Sequence, residues 1–190
     1  MAQTDPQQLQ ETAQRLDGKT VAILVTDGFE QVELTGPKAA LEEAGARTVI
    51  VAPKAGQVQG FNHVDKADRF DVAQTLDDVR AADFDALLLP GGVVNADALR
   101  TDAKAQAFAK AIDGAGKPIA VICHGGWLLV SAGLVAGRTL TSWPSLQDDL
   151  RNAGANWVDQ EVVSDRNWTS SRKPDDIPAF NRAAIAAFAG

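Results

Sequence analysis

Short apolar runs alternate with longer amphipathic segments along this chain. Four runs rich in Val, Ile and Leu stand out: KTVAILVTD, RTVIVAP, FDALLLPGG and KPIAVIC. Continuous apolar runs of this kind are typical of strands that are buried on both faces of a parallel sheet. The segments between them have helical periodicity and fit crossover helices. The pattern predicts an α/β sandwich with a mainly parallel sheet.

Turn residues and periodicity locate the other elements. A helix is predicted over 36–46, with Pro37 in its first turn and Gly45 at its end. One long amphipathic helix is predicted over 97–117, and another helix closes the chain over 177–190. The segment 54–70 lacks a helical period and predicts a hairpin inserted after the second strand. TLTSW, WVDQEVVSD and NWTSSR are predicted as shorter strands.

Length and composition favour one folded domain. The chain has 190 residues, of which 45% are hydrophobic, enough for a substantial single core. We therefore predict a single domain over 19–190, preceded by a polar N-terminal extension over 1–18 that contains a surface helix.

Charge and cysteine content exclude several classes of function. The net charge of −7, without a run of Lys or Arg, gives no surface that gathers phosphates, so nucleic acid is not an expected partner. The N-terminal segment does not resemble a secretory signal and no segment has the length of a membrane span, so a cytoplasmic protein without a membrane partner is predicted. One cysteine and two histidines make neither a disulfide nor a Cys/His zinc cluster, and we expect no metal and no cofactor.

Cys123, the single cysteine, follows the apolar run PIAVI and precedes Gly125 and Gly126. Reactive groups gather at the carboxyl ends of parallel strands, and the glycines allow the sharp strand-to-helix turn of a nucleophile elbow. A helix N-terminus would lower the pKa of this thiol. The alternative is a buried cysteine that acts as a small hydrophobic residue.

Other candidate groups follow neighbouring strands. Gly91 and Gly92 after LLLP offer backbone N–H donors that, with the N–H of His124, would form an oxyanion hole; an ordinary tight turn is the alternative.

Glu30 and Glu33 lie after the first strand. Glu30 is the preferred candidate for the site because it is nearer the strand end, although most glutamates are simply solvated. The side chain of His124 is expected to point away from Cys123 and to orient substrate or act as a base after a small movement; a purely structural role is the alternative. His63 is predicted to be a surface residue.

Five motifs in order resemble the PfpI family of intracellular peptidases and general stress proteins, from about Lys19 to the C-terminus: DGFEQVEL, LLLPGG, AVICHGGWLLVSAGLVAGRTLTSW, NAGANWVDQEVV and SSRKPDD. This family belongs to the superfamily of the parkinsonism-associated deglycase and the class I glutamine amidotransferase domains. The resemblance implies a flavodoxin-like three-layer sandwich with a nucleophile elbow, of the class I glutamine amidotransferase-like type.

The resemblance also implies roles for individual residues. It makes Cys123 the nucleophile, His124 its neighbouring histidine and Glu30 the glutamate beside the thiol. Backbone groups at Gly91, Gly92 and Gly125 would form the oxyanion site. Some members complete a triad with a carboxylate from a neighbouring subunit, and Asp97 is the match here, in a loop one residue longer. Gly126 is a departure, since many members have proline there.

The resemblance leaves three functions open. The leading one is a stress-response enzyme whose cysteine attacks small reactive carbonyls or their adducts on proteins, in the manner of glyoxalases and deglycases. The second is an intracellular cysteine peptidase, and the third is a redox-sensing or chaperone-like stress protein. The expected partners are a small carbonyl compound or a peptide as substrate and further copies of the same chain, as a dimer or hexamer.

Overall fold

The structure of the protein is a computed structural model that describes residues 15–190. The first fourteen residues of the predicted extension, and with them the predicted surface helix, lie outside the described residues. Leu16 is fully buried, and its N–H donates to the carbonyl of Ala44 at 2.7 Å. The packed domain therefore includes Leu16, a residue that the sequence assigned to the extension.

A seven-stranded sheet forms the centre of the molecule. The strands of the described residues are β1 (Thr20–Leu24), β2 (Phe29–Glu30), β3 (Arg47–Ala52), β4 (Gln57–Asn62), β5 (Asp65–Asp71), β6 (Gln74–Thr75), β7 (Ala86–Leu89), β8 (Ile119–Ile122), β9 (Thr139–Leu140), β10 (Asn156–Trp157), β11 (Val162–Asp165) and β12 (Trp168–Ser171). The order in the central sheet is β11-β12-β8-β7-β1-β3-β6, and all neighbours in it are parallel except β11 and β12. The predicted α/β fold with a mainly parallel sheet is confirmed.

Helices cover both faces of this sheet. They are α1 (Gln31–Glu43), α2 (Val93–Thr101), α3 (Ala103–Gly114), α4 (Gly126–Ser131), α5 (Gln147–Asn152) and α6 (Ile177–Ala189). Alternate residues of β1 show the two sides: Val21 and Ile23 belong to the core beneath α1 and α6, whereas Ala22 and Leu24 belong to the core beneath α2, α3 and α4. The result is a three-layer sandwich.

Two predicted helices differ from the structure. The first begins at Gln31, so Pro37 lies inside it and leaves the carbonyl of Glu33 without a helical N–H donor. The predicted helix over 97–117 is two helices, because Asp102 has an extended backbone and its carboxylate accepts the N–H groups of Lys104 and Ala105. A side-chain cap starts a new helix at this position.

The predicted hairpin over 54–70 is confirmed as β4 and β5, which pair antiparallel. β2 joins β4 in parallel, with Glu30 opposite Phe61. This small sheet stands beside the carboxyl ends of β1, β7 and β8. It therefore forms one wall of the crevice in which ligands bind in open α/β sheets.

Candidate active site

Cys123 occupies a sharp turn at the end of β8. Its backbone has φ of 60°, in the left-handed region that non-glycine residues rarely adopt. A short 3-10 helix, Cys123–Gly125, follows at once and leads into α4. A Cβ atom at Gly125 would lie 2.6 Å from the carbonyl oxygen of Leu89, so this turn passes the end of β7 only without a side chain. The structure thus contains the predicted nucleophile elbow.

The Pro90–Gly92 loop lies directly against this turn. The N–H of Gly91 donates to Oε2 of Glu33 at 2.7 Å. A Cβ atom at Gly91 would lie 2.6 Å from that oxygen and 2.7 Å from the Cβ of Cys123. The N–H groups of Gly92 and His124 instead face the sulfur of Cys123.

The backbone donors therefore differ in part from the predicted set. Gly92 and His124 offer N–H groups at the thiol, where an oxyanion would form. The Gly91 amide is occupied by Glu33, so it does not fill the predicted role. The role of the Gly125 N–H stays a prediction; the absence of a side chain at Gly125 lets the turn pass close to the carbonyl oxygen of Leu89.

Asn95 holds the Pro90–Gly92 loop in position, a role that no motif in the sequence indicated. Its side chain is fully buried, donates from Nδ2 to the carbonyls of Pro90 and Gly91, and accepts the N–H of Thr26 at 2.8 Å. Asn95 thereby ties the ends of β7 and β1 together. The signal in the sequence was a polar amide among apolar positions in the first turn of α2.

Glu33, rather than Glu30, is the glutamate beside the thiol, which corrects the sequence assignment. Glu33 lies in the first turn of α1, is fully buried and shares a hydrogen bond with Cys123. Glu30 lies in β2, and its Oε2 accepts the N–H of His63 at 3.0 Å. Pairing of β2 with the hairpin turns the Glu30 carboxylate towards the wall of the crevice.

Burial keeps a proton on Glu33. Loss of solvation raises the pKa of this carboxyl group to about 8, against the lowering effects of the Gly91 N–H and Cys123, and the charge of Glu30 adds to the rise. Its Oε1 has no hydrogen-bond partner within the described part of the chain. Since Oε2 accepts from Gly91, Oε1 is the oxygen that can carry the proton.

The pKa of Cys123 moves in the opposite direction from the sequence expectation. Burial raises it, the negative charge of Glu33 and the hydrogen bond from the thiol to Glu33 raise it further, and the N–H groups of Gly92 and His124 lower it. The contribution from the Glu33 charge is absent as long as Glu33 holds its proton. The helix N-terminus does not dominate because the thiol is almost completely withdrawn from water.

His124 also differs from expectation, because its ring turns towards Cys123. Nδ1 lies 3.2 Å from Sγ. The ring stacks on Trp143, with centroids 5.8 Å apart, and meets the edge of Trp127 at 5.3 Å. Burial lowers the pKa of His124 to about 4, so the imidazole is neutral at neutral pH. The left-handed backbone at Cys123 is what brings two consecutive side chains together.

A pocket of about 270 Å³ opens above these groups, which we call the inner pocket. Cys123, His124, Glu33 and Gly92 line its base, and Glu30, His63, Val64, Val93, Trp143 and Pro174 line its sides. A volume of this size admits a small molecule rather than a folded chain. The pocket is lined mainly by apolar surface, which strengthens electrostatic interactions at its base.

The remaining predicted residues lie apart from the thiol. Asp97 is exposed on α2 and does not line the inner pocket. His63 is a surface residue as predicted, with 86% of its side chain exposed, yet it borders the pocket.

Residues 15–190 contain neither a metal-binding cluster nor a membrane-spanning helix. No group of three or more His, Cys, Asp and Glu side chains there is arranged to hold a metal ion. No helix in this part of the chain combines the length and apolar character needed to cross a membrane.

A cysteine with a left-handed backbone at a strand end, with a buried glutamate and a histidine against its sulfur, defines a candidate cysteine-dependent site on a doubly wound α/β fold. Residues 19–187 match the model of the DJ-1/PfpI family. The chain belongs to this family, as the motifs indicated.

Similar proteins agree with this assignment. Protein/nucleic acid deglycase 2 of Escherichia coli (strain K12) is 41% identical over 168 residues, covering 88% of this chain and 96% of that protein. General stress protein 18 of Bacillus subtilis (strain 168) is 43% identical over 171 residues, covering 89% and 97%. The crystal structure of Drosophila melanogaster DJ-1beta has a TM-score of 0.81, with 26% identity and 92% of each chain covered. The chain is therefore an enzyme of the DJ-1/PfpI family.

Proposed function

We propose that the protein is a stress-response enzyme that uses Cys123 to convert small reactive carbonyl compounds, such as α-oxoaldehydes, or their adducts on proteins. The observation that carries this proposal is the buried triad of Cys123, His124 and Glu33 at the base of a small apolar pocket. The names of the Escherichia coli and Bacillus subtilis relatives, a deglycase and a general stress protein, support it.

The first step joins the thiol to an aldehyde carbon. The sulfur forms a bond to carbon while its proton passes to Nδ1 of His124, 3.2 Å away. The carbonyl π electrons move to oxygen, which faces the N–H groups of Gly92 and His124 and takes the proton of Glu33. The product is a neutral hemithioacetal beside a protonated His124 and an ionised Glu33.

In the second step Glu33 acts as the base and His124 as the acid. Ionised Glu33 removes the hydrogen from the carbon that bears sulfur, and the neighbouring ketone oxygen takes the proton of His124. The resulting enediol tautomerises to a 2-hydroxy thioester, and water hydrolyses the thioester to a 2-hydroxy acid and the free thiol. For methylglyoxal the product is lactate, and every proton returns to its starting group.

The experiment is turnover of methylglyoxal to lactate, followed by loss of the aldehyde and by appearance of the acid. Wild-type protein is expected to turn over and Cys123→Ala to be inactive, because the chain contains no second cysteine. Trp127→Phe is a matched control, since it changes the edge contact of His124 without removing a reacting group. Conversion that persists in Cys123→Ala contradicts the proposal.

Peptide hydrolysis through an acyl-enzyme at the same thiol is the second candidate. A second cavity adjoins the inner pocket and shares Glu30, His63, Trp143 and Pro174 with it, and together they extend the crevice. Fluorogenic peptides test this function. Hydrolysis of peptides by a protein that leaves methylglyoxal unchanged would replace the first candidate with the second.

We also propose that copies of the chain assemble and that Asp97 of one copy acts at the thiol of another. Because Asp97 is exposed in its own chain, it reaches a thiol only across an interface between copies of the chain, as a dimer or hexamer. Light scattering measures the assembly. In an assembly of this kind, mixing Cys123→Ala with Asp97→Ala subunits restores part of the activity, whereas a monomer with full activity removes Asp97 from the mechanism.

The expectation that nucleic acid is not a partner stays a prediction. It rests on the net charge of −7 and on the lack of basic runs. The name of the Escherichia coli relative includes nucleic acid, so glycated oligonucleotides belong among the substrates to be assayed. No conversion of them is expected.

A further inference from the structure

Glu30 lies where the inner pocket meets the adjoining cavity, which we call the outer pocket. The outer pocket has a volume of about 440 Å³ and shares Glu30, His63, Trp143 and Pro174 with the inner pocket. A substrate whose carbonyl carbon reaches Cys123 would pass Glu30 on its way to the outer pocket.

The carboxylate of Glu30 has little compensation for its charge. Its side chain is only 12% exposed, and one oxygen, Oε2, accepts the N–H of His63. Nδ1 of His63 lies 4.0 Å away on a ring that is 86% exposed. Within residues 15–190 no Lys or Arg forms an ion pair with Glu30. A carboxylate held largely out of water without a cation is a costly arrangement that a bound cation would relieve.

Glu30 is the dominant charge around the two pockets, because the other ionisable groups there are neutral or paired. Glu33 keeps its proton at neutral pH because burial raises its pKa to about 8. Lys173 and Asp175 border the outer pocket and pair with each other at 3.1 Å. Low-dielectric walls concentrate the field of the remaining carboxylate within the crevice.

We propose that Glu30 is a specificity-determining residue that binds the positive charge of the substrate, a guanidinium or ammonium group joined to the reacting carbonyl. The inference rests on the proposed function and narrows its substrate class to carbonyl adducts carried by cationic side chains. Oε1 of Glu30 and the N–H-bound Oε2 offer a bidentate acceptor to a planar guanidinium, the geometry in which Arg–carboxylate pairs are strongest. Thiol adducts, which are neutral, gain nothing from this contact.

Direct binding tests the proposal without any chemistry. The probes are Nα-acetylarginine amide, with one positive charge, and Nα-acetylcitrulline amide, which has nearly the same shape and no charge. Titration calorimetry on the wild-type protein is expected to show the arginine amide binding about tenfold more tightly. In Glu30→Gln the two probes are expected to bind equally, because Gln can still accept the His63 N–H but carries no charge.

Glu43→Gln is the matched control. It removes the same charge from the exposed end of α1, so the preference for the arginine amide is expected to persist. Equal binding of both probes by the wild type, no binding of the arginine amide, or a preference that survives Glu30→Gln would overturn the proposal. The wild-type comparison stands even where a variant fails to fold. Failure of methylglyoxal turnover would remove the proposed function and leave this binding result intact.

Discussion

The carboxyl group of Glu33, at the start of α1, shares a hydrogen bond with the thiol of Cys123, at the end of β8. The backbone of Gly91 packs against both side chains. Only glycine fits at position 91, because a Cβ atom there would collide with the side chains of both Glu33 and Cys123. Glu33 receives the Gly91 N–H on one oxygen and keeps its proton on the other. The Gly91 N–H therefore holds a protonated carboxyl group beside the thiol.

The first prediction concerns how Glu33 controls ionisation of Cys123. Glu33→Gln keeps a side-chain oxygen that accepts from the Gly91 N–H and from the thiol, whereas Glu33→Leu removes this acceptor. Because an acceptor favours the protonated thiol, we expect the pKa of Cys123 to be about one unit lower in the Leu variant than in the Gln variant, the value of one hydrogen bond. Thiolate ultraviolet absorbance across a pH titration measures both. Identical titration curves would show that the thiol does not donate to the side chain at position 33.

The second prediction is a loss of stability at alkaline pH. The pKa of Glu33 is raised from 4.5 to about 8 on folding, so the folded protein keeps a proton that the unfolded chain releases. The free energy of unfolding should therefore fall as pH rises from 4.5 to 8, by up to about 1.4 kcal/mol per pH unit, and level off above 8. Urea unfolding at several pH values measures the slope, which Glu33→Gln should flatten. An equal slope in both proteins would contradict the assignment.

The third prediction is the opposite pH effect from His124. Burial lowers its pKa from 6.5 to about 4, so between these pH values the unfolded chain binds a proton at His124 and the folded protein does not. The free energy of unfolding should fall as pH drops from 6.5 to 4, again by up to about 1.4 kcal/mol per unit. His124→Gln should remove this part of the acid sensitivity. Nuclear magnetic resonance titration of the His124 ring gives an independent value, and an ordinary pKa near 6.5 would refute the prediction.

The fourth prediction separates two glycines of the site. Gly91→Ala places a Cβ 2.6 Å from Oε2 of Glu33 and 2.8 Å from the His124 nitrogen, so we expect methylglyoxal turnover to fall about a hundredfold. Gly126→Ala places its Cβ 3.7 Å from Cδ2 of Leu146, an ordinary contact at the start of α4. This control should keep its activity and gain about 0.5–1 kcal/mol in stability. Equal activity of the two variants would mean that Gly91 is not constrained by the site.

Local patterns in the sequence were sufficient for the sheet and for the elbow. Apolar runs of strand length followed by glycine occur at Leu87–Leu89 and Ile119–Ile122, and burial on both faces leaves few other structures for them. The hairpin over 54–70 followed from the absence of helical period. The split between α2 and α3 was missed because Asp102 competes for backbone N–H groups, an effect that periodicity does not contain.

The sequence by itself determined the fold and the family and indicated Cys123 as the candidate nucleophile, because hydrophobic period, glycine placement and a single cysteine are local facts. Only the tertiary structure decided between Glu30 and Glu33, since the choice depends on where α1 starts and on the pairing of β2 with the hairpin. It also decided the directions of the pKa shifts at Cys123 and His124. Both follow from burial, and burial depends on contacts between segments that are distant in the chain.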